Sequence, residues 1–286
     1  LHSDIVITSQ LEITAVAGFL SNSITIDGNG FEVSFDDVGS THTVNYSVSS
    51  SLILRLINLT IKRFNGTGTH YALSSNSDLN MNNCYLYSNN GGALLCFSTN
   101  SDLGNSVLES DGNINTFTTG NVTKVTHFNA ISNGSGVSVN NFGEVSSFIC
   151  ENTSTGIAYF GDGDSLGYDF EAYSNSGICV STNYKVINFK ATSVSGIAVY
   201  SIAGGYFSDF HAETGNNISV QNFLGYIYNG VCINNSASAC LYTVRSYEFD
   251  NVFCKNEGSG YGLDVFNNTT HTNYFNKVTA ISVGGI

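Results

Sequence analysis

The side chains of this chain that could do chemistry are few and mostly acidic. Asp and Glu number 22 among 286 residues, against nine Lys and Arg. The densest run of carboxylates is Asp162, Asp164, Asp169 and Glu171, and carboxylate oxygens are the hard donors that calcium takes. Their spacing is not that of an EF-hand loop, and Asp-Gly pairs between strands also serve as plain turns. Asp36 and Asp37 form a second acidic pair, in a loop. Asp169 and Asp209 could act as a carboxylate dyad in general acid–base work, although both also fit a turn. The three Arg, Arg55, Arg63 and Arg245, stand apart from any Asp cluster. Six His are scattered without metal-ligand spacing. No Gly-rich phosphate loop, nucleophile elbow or Ser-His-Asp order is present. No catalytic, cofactor-binding or metal-ligating residue is assigned, so the residues lean against an enzyme while leaving the question open.

Asn is the other chemically capable residue, with 36 copies. Asn-x-Ser/Thr occurs at Asn45, Asn58, Asn65, Asn121, Asn133, Asn152, Asn217, Asn234, Asn267 and Asn268, a number near what this composition gives by chance. The positions carry more than the count does. Asn65, Asn133, Asn152 and Asn234 each follow the end of the same kind of strand, which predicts one sugar-bearing edge if a glycosylating cell secretes the chain.

A recurring phrase has to position these residues: an apolar residue, two others, an apolar residue, one other, then a small or apolar residue. Its clearest copies are Val125, Phe128, Ala130; Val145, Phe148, Cys150; Gly167, Phe170, Ala172; Val186, Phe189, Ala191; Phe207, Phe210, Ala212; Ile227, Gly230, Cys232; and Phe249, Val252, Cys254. Copies start about 21 residues apart, a period that belongs to stacked repeats rather than to a single globular core. A second short alternating strand follows each copy, as in Gly177-Ile178-x-Val180 and Gly196-Ile197-x-Val199. The chain has no Pro, which suits strands hydrogen-bonded on both edges.

The residue before the second apolar position reads Asn58, Asn83, Asn105, His127, Ser147, Asp169, Asn188, Asp209, Asn229, Asn251. Asn accepts the left-handed backbone of a tight corner, and its amide can bond to an identical amide one coil away. This column resembles the asparagine ladder of right-handed parallel β-helices of the pectate-lyase type. The expected fold is all-β: a single-stranded right-handed parallel β-helix, a solenoid with about 21 residues per coil. The amides are expected to turn inward, so that Asn58 carries no sugar although it heads a sequon. The resemblance implies a test for enzymes, since pectate lyases gather Asp around calcium with an Arg base and related hydrolases gather carboxylates on one outer face. Neither set is recognisable here. The segment Cys84-Tyr-Leu-Tyr-Ser-Asn-Asn-Gly-Gly-Ala-Leu94 is similar to the repeat of polymorphic outer-membrane adhesins, departing from it at Tyr85 and Leu86.

Residues 1–53 hold alternating segments such as Ile5-x-Ile7 and Leu11-x-Ile13 that do not fit the phrase, and read as a lead-in to the β-helix. Residues 54–286 are its coils. The start at Leu1-His2-Ser3-Asp4, without Met or an apolar leader, fits a mature or trimmed chain. Phe275, Val278 and Ala280 restart the phrase shortly before Ile286, and no polar cap follows. Solenoids need such caps to stay monomeric, so the expected partner is another copy, head to tail, or more of a longer polypeptide. Cys232 and Cys254 share a column, and stacked thiols are favoured over a bridge; seven Cys is an odd number.

The net charge of −13 disfavours nucleic acid and anionic membranes as partners, and no apolar run is long enough for a membrane span. The sequence reading is an extracellular or cell-surface structural or adhesive protein that forms filaments and carries N-glycans. The alternative is a carbohydrate-active β-helix, either a lyase or hydrolase or a tailspike-like depolymerase.

Overall fold

The computed structural model describes residues 5–7, 10–13, 23–36, 42–47, 52–65, 69–121, 123–201, 203–222, 225–244, 248–266 and 274–284. Asp37, Arg245, Ile286 and the sequons at Asn267 and Asn268 lie outside them. The described residues form parallel strands and no helix, stacked as a β-solenoid with about 22 residues per turn. Two compact units divide the chain, Leu1–Ile149 and Cys150–Ile286.

In the first unit, each early turn has three straight segments. One wall stacks Ser23–Asp27, Ile53–Ile57 and Leu79–Asn82. A second stacks Ile5–Ile7, Glu32–Asp36, Thr60–Phe64 and Tyr85–Ser88. The third stacks Leu11–Ile13, Val44–Tyr46, Tyr71–Ser75, Gly92–Cys96 and Phe117–Thr119. From Ser101–Ser110 onward the first two segments merge into one long bent strand. Residues 1–53 therefore supply strands to the same walls as the residues after them.

Turn length explains why the repeating phrase is invisible at the start. Ile5 pairs with Val33 and Val33 with Ile61, so a turn there takes 28 residues. Leu86 pairs with Leu108 and Leu108 with Ala130, so the turns there take 22, and from Phe170 through Phe189 and Phe210 to Gly230 they take 19 to 21.

The second unit repeats a simpler unit, a strand of nine or ten residues followed by one of three. Leu166–Ser174, Lys185–Ser193, Gly205–Thr214, Gly225–Asn234, Glu248–Asn256 and Tyr274–Ser282 stack in parallel register. Tyr159–Gly161, Val180–Thr182, Val199–Ser201, Val220–Asn222, Leu241–Thr243 and Leu263–Val265 do the same on the other wall.

The phrase positions point inward. Phe128 and Phe148 stack at 5.0 Å in the first unit. Phe170, Phe189 and Phe210 form a continuous stack in the second, with centroids 5.4 Å apart at each step. These rings are almost fully buried, and each contact adds about 1 kcal/mol to the area it buries. Glycines let the corners stack equally closely: a Cβ on Gly177 would lie 1.8 Å from the Gly156 carbonyl oxygen, and one on Gly196 1.7 Å from that of Gly177.

Candidate functional site

Every residue of the Asn column, from Asn58 to Asn251, has positive φ, between 49° and 57°. This left-handed residue bends the chain between the first two walls. Its side chain, however, points outward: Asn83, Asn105, Asp169, Asn188, Asp209, Asn229 and Asn251 are exposed and Asn58 is half-buried. The inward amides expected from the sequence are thus corrected. A left-handed backbone at a convex corner turns Cβ away from the core. Coil-to-coil bonds still form on the outside. Asn83 Nδ2 donates to Asn58 Oδ1 at 2.9 Å in the first unit. In the second, Asn188 donates to Asp169 at 2.5 Å, Asn229 to Asp209 at 2.9 Å and Asn251 to Asn229 at 3.0 Å. His127 Nδ1 lies 3.1 Å from Asp102 Oδ1. Asp169 and Asp209 are therefore held as corner residues, each accepting from an Asn amide.

The buried polar column stands at another corner, at the ends of the long strands, and the sequence reading missed it. Ser88, Ser110 and Ser132 occupy it in the first unit; Asn152, Ser174, Ser193, Thr214, Asn234 and Asn256 in the second, all buried. Each bonds to the backbone of the turn that follows or of its neighbour. Ser88 Oγ accepts from Gly91 N at 2.9 Å, and Asn152 Oδ1 from Ser154 N and Gly156 N at 3.0 Å. Asn234 accepts from Ser236 N and donates to the Ser238 and Ala239 carbonyls. Buried turn peptides need such partners. The available signal was Ser, Thr or Asn followed by Gly within a few residues, as at Ser88, Ser132, Asn152, Ser174, Ser193 and Asn256, although not at Asn234.

This column overturns the single sugar-bearing edge. Asn152 and Asn234 are the last residues of the strands Glu144–Asn152 and Gly225–Asn234, 0% exposed, with their amides committed to the turn. Asn65 and Asn133 are exposed, just beyond Thr60–Phe64 and Lys124–Ser132. Asn121 is exposed, whereas Asn45 and Asn217 are half-buried.

Aromatic and acidic side chains gather on the outer walls. In the first unit Tyr85 donates to Glu109 at 2.6 Å and Tyr87 to Asp111 at 2.5 Å, and Asn133 Nδ2 bridges both carboxylates at 2.8 Å. Burial and these carboxylates push both phenols above their ordinary range. In the second unit Tyr226 and Tyr228 lie nearly parallel, 6.3 Å apart, with Tyr206 5.4 Å from Tyr228. Lys185 Nζ sits 5.1 Å from the Tyr206 ring, and Tyr228 donates to Glu248 at 2.9 Å. A groove of about 480 Å³, lined by Glu151, Tyr173, Asn175, Thr192 and Val194 among others, crosses three successive turns. Such surfaces offer flat apolar faces beside hydrogen-bonding groups. These tyrosines are scattered along the chain, and only the register between coils puts them in one row.

In the Asp162–Glu171 stretch, Asp162 Oδ1 accepts from Gly163 N at 2.8 Å within a turn. Among the described residues no group of three or more His, Cys, Asp or Glu is arranged to hold a metal, and no helix is long and apolar enough to cross a membrane. All seven cysteines are buried free thiols. No family model, curated protein or solved structure matches the chain. Strand pairing alone carries the β-solenoid assignment.

Proposed function

We propose that this chain is an extracellular structural or adhesive β-helix that associates with further copies through the exposed edge of Tyr274–Ser282. One observation carries the proposal. That strand pairs with Glu248–Asn256 on one side and has no strand on its other side among the described residues, while Phe275, Val278 and Ala280 continue interior columns into the open. Phe275 is 45% exposed where Phe249 beneath it is 0%. Open strand edges with apolar columns are templates for another β-edge, and a heterologous contact of this kind propagates. The Ile5–Ile7 strand, which among the described residues pairs with Glu32–Asp36 alone, is the complementary edge. Kinship with pectate-lyase-like β-helices belongs to the same proposal, supported by the inward phrase and the left-handed corner column.

Sedimentation velocity across a concentration series tests it, together with the Phe275→Asp variant. Species growing with concentration for the native chain, and shrinking for the variant, are expected. A native chain that sediments as one concentration-independent monomer overturns the reading.

The row Lys185, Tyr206, Tyr226, Tyr228 and Glu248 favours a second reading, carbohydrate binding. Tyr faces stack on sugar C–H surfaces while the charged ends meet hydroxyls. Affinity electrophoresis in polysaccharide gels should then retard the native chain and not Tyr226→Ala. Equal migration of the two sinks it.

A further inference from the structure

The outer wall of the second unit carries three tyrosine rings in contact. Tyr206 and Tyr226 are register partners in adjacent turns, and Tyr228 lies diagonally from Tyr206, opposite Ser208. The diagonal pair is the closest: the rings of Tyr206 and Tyr228 are 5.4 Å apart and inclined at 41°, whereas Tyr206 and Tyr226 are 6.5 Å apart. Tyr226 and Tyr228, on one strand, lie 6.3 Å apart and nearly parallel, at 7°. Parallel rings at that separation hold their edges apart, while inclined rings bring an edge of one towards the other. The Tyr228 hydroxyl donates to a Glu248 carboxylate oxygen at 2.9 Å, and Lys185 Nζ sits 5.1 Å from the Tyr206 ring centroid. These two contacts act oppositely on one-electron oxidation. A phenol that loses an electron becomes a strong acid, and a carboxylate already bonded to its hydroxyl takes the proton in the same step. A cation over a ring is held by the electron density of its face, so it makes Tyr206 the harder ring to oxidise. Tyr228 is therefore where an electron leaves first. The row is open to an oxidant, since Tyr226 is 38% exposed and Tyr206 and Tyr228 are half-buried.

We propose that Tyr206 and Tyr228 form an oxidative crosslinking site that closes a dityrosine bond between adjacent turns. The oxidant is hydrogen peroxide acting through a haem peroxidase. Each phenol loses one electron and one proton to become a phenoxyl radical, and the proton of Tyr228 passes first to Glu248. The two radicals join carbon to carbon, ortho to their oxygens. Each ring regains its aromaticity as the hydrogen on the joined carbon moves to the oxygen. Two hydrogen atoms leave the protein, and one peroxide is reduced to two waters. The product is a covalent rung between Gly205–Thr214 and Gly225–Asn234, strands that already pair along their length, and it requires neither filament assembly nor sugar binding. The first unit supplies a comparison. Tyr85 and Tyr87 also donate to carboxylates, Glu109 and Asp111, but they share one strand and lie 6.4 Å apart at 18°, so they should not join each other.

The folded chain, dilute enough to suppress coupling between molecules, is treated with a haem peroxidase and limiting peroxide, followed by dityrosine fluorescence and peptide-mapped by mass spectrometry. The native chain should yield an intramolecular crosslink between the peptides of Tyr206 and Tyr228. Tyr206→Phe and Tyr228→Phe keep the ring and remove the hydroxyl, and each should abolish that crosslink, whereas Tyr226→Phe should retain it. Glu248→Gln keeps the shape but takes no proton. It should slow crosslinking several-fold near neutral pH, with recovery at alkaline pH as the phenol ionises by itself. The crosslinked chain should melt at a higher temperature, and reductant should not reverse the gain. The proposal is overturned if the product joins Tyr226 to Tyr228 or Tyr85 to Tyr87 instead. It is equally overturned if coupling occurs only between molecules, through the exposed Tyr184, Tyr261 or Tyr274, or if no intramolecular dityrosine forms with either the peroxidase or a small photochemical oxidant, ruthenium trisbipyridine with persulfate.

Discussion

The Phe275 ring stacks on that of Phe249 at 5.0 Å, with 11° between their planes, although one is 45% exposed and the other fully buried. Identical residue types in the same column thus differ only in whether a further turn covers them. Phe249→Ala should cost about 3–5 kcal/mol, the usual loss for a buried aromatic. Phe275→Ala should cost far less, about 1 kcal/mol, since much of its area already meets water. Denaturant unfolding at low protein concentration, where no partner covers Phe275, measures both.

The two polar columns should behave oppositely. Asn234→Ala removes two donated bonds and one accepted bond from a buried turn, leaving orphan backbone groups that cost about 1–3 kcal/mol each. Asn229→Ala deletes exposed bonds and adds left-handed strain of about 1–2 kcal/mol, and Asn229→Gly should relieve that strain. A larger midpoint shift for Asn229→Ala than for Asn234→Ala would contradict this assignment of inside and outside.

Much of this fold was legible because its periods are physical. Val125, Phe128 and Ala130 face inward by alternation, and the left-handed residue between Val125 and Phe128 interrupts that alternation, giving the phrase its uneven spacing. The first turns were illegible because they take 28 residues, a spacing the later phrase does not have. Asn152 and Asn234 were misread for a different reason: a polar residue at a strand end looks like surface. Gly156 marks the tight corner after Asn152, but no glycine follows Asn234 in its turn. The tyrosine row depends on register between coils, which no local pattern specifies.

Acid should destabilise the first unit through His42. Burial first, then the nearby His70 and Arg63, hold its pKa below the ordinary 6.5. Beneath 6.5 the unfolded chain therefore binds more protons than the folded one, so stability rises with pH across that interval and is lost as pH falls. His42→Gln should flatten this dependence in pH-resolved melting curves. An unchanged slope would show that His42 does not drive it.

At alkaline pH the phenols should report the outer walls. Burial first, and then Glu248, raise Tyr228 to about 12. The folded state holds this proton between about 10 and 12 while the unfolded state has lost it, so stability falls as pH rises through that interval. Ultraviolet titration should show phenolate appearing late, and Glu248→Gln should bring part of the signal to lower pH. Ordinary titration of every tyrosine would argue against the Tyr228 to Glu248 contact.

Expression through a glycosylating secretory pathway should separate the sequons by their place in the coil. Asn65 and Asn133 lie one residue beyond a strand and are exposed, so a sugar there projects into solvent. Asn133 would give up part of its bridge to Glu109 and Asp111, an exposed contact whose loss costs little. Asn152 and Asn234 cannot carry a glycan in this fold, because the amide nitrogen of Asn234 already serves two carbonyls inside the turn and a sugar on either residue would need space the stacked coils fill. Modification occurs on the unfolded chain, however, so molecules glycosylated at Asn152 or Asn234 should fail to fold and be retained in the cell. Glycopeptide mass spectrometry of secreted material should therefore find Asn133 and Asn65 occupied and Asn152 and Asn234 bare, and Asn152→Ser, which keeps a small hydroxyl in a column that already holds Ser174 and Ser193, should raise the secreted yield. Secreted, folded chain bearing sugar on Asn234 would show that its side chain leaves the turn, and the buried column would have to be redrawn.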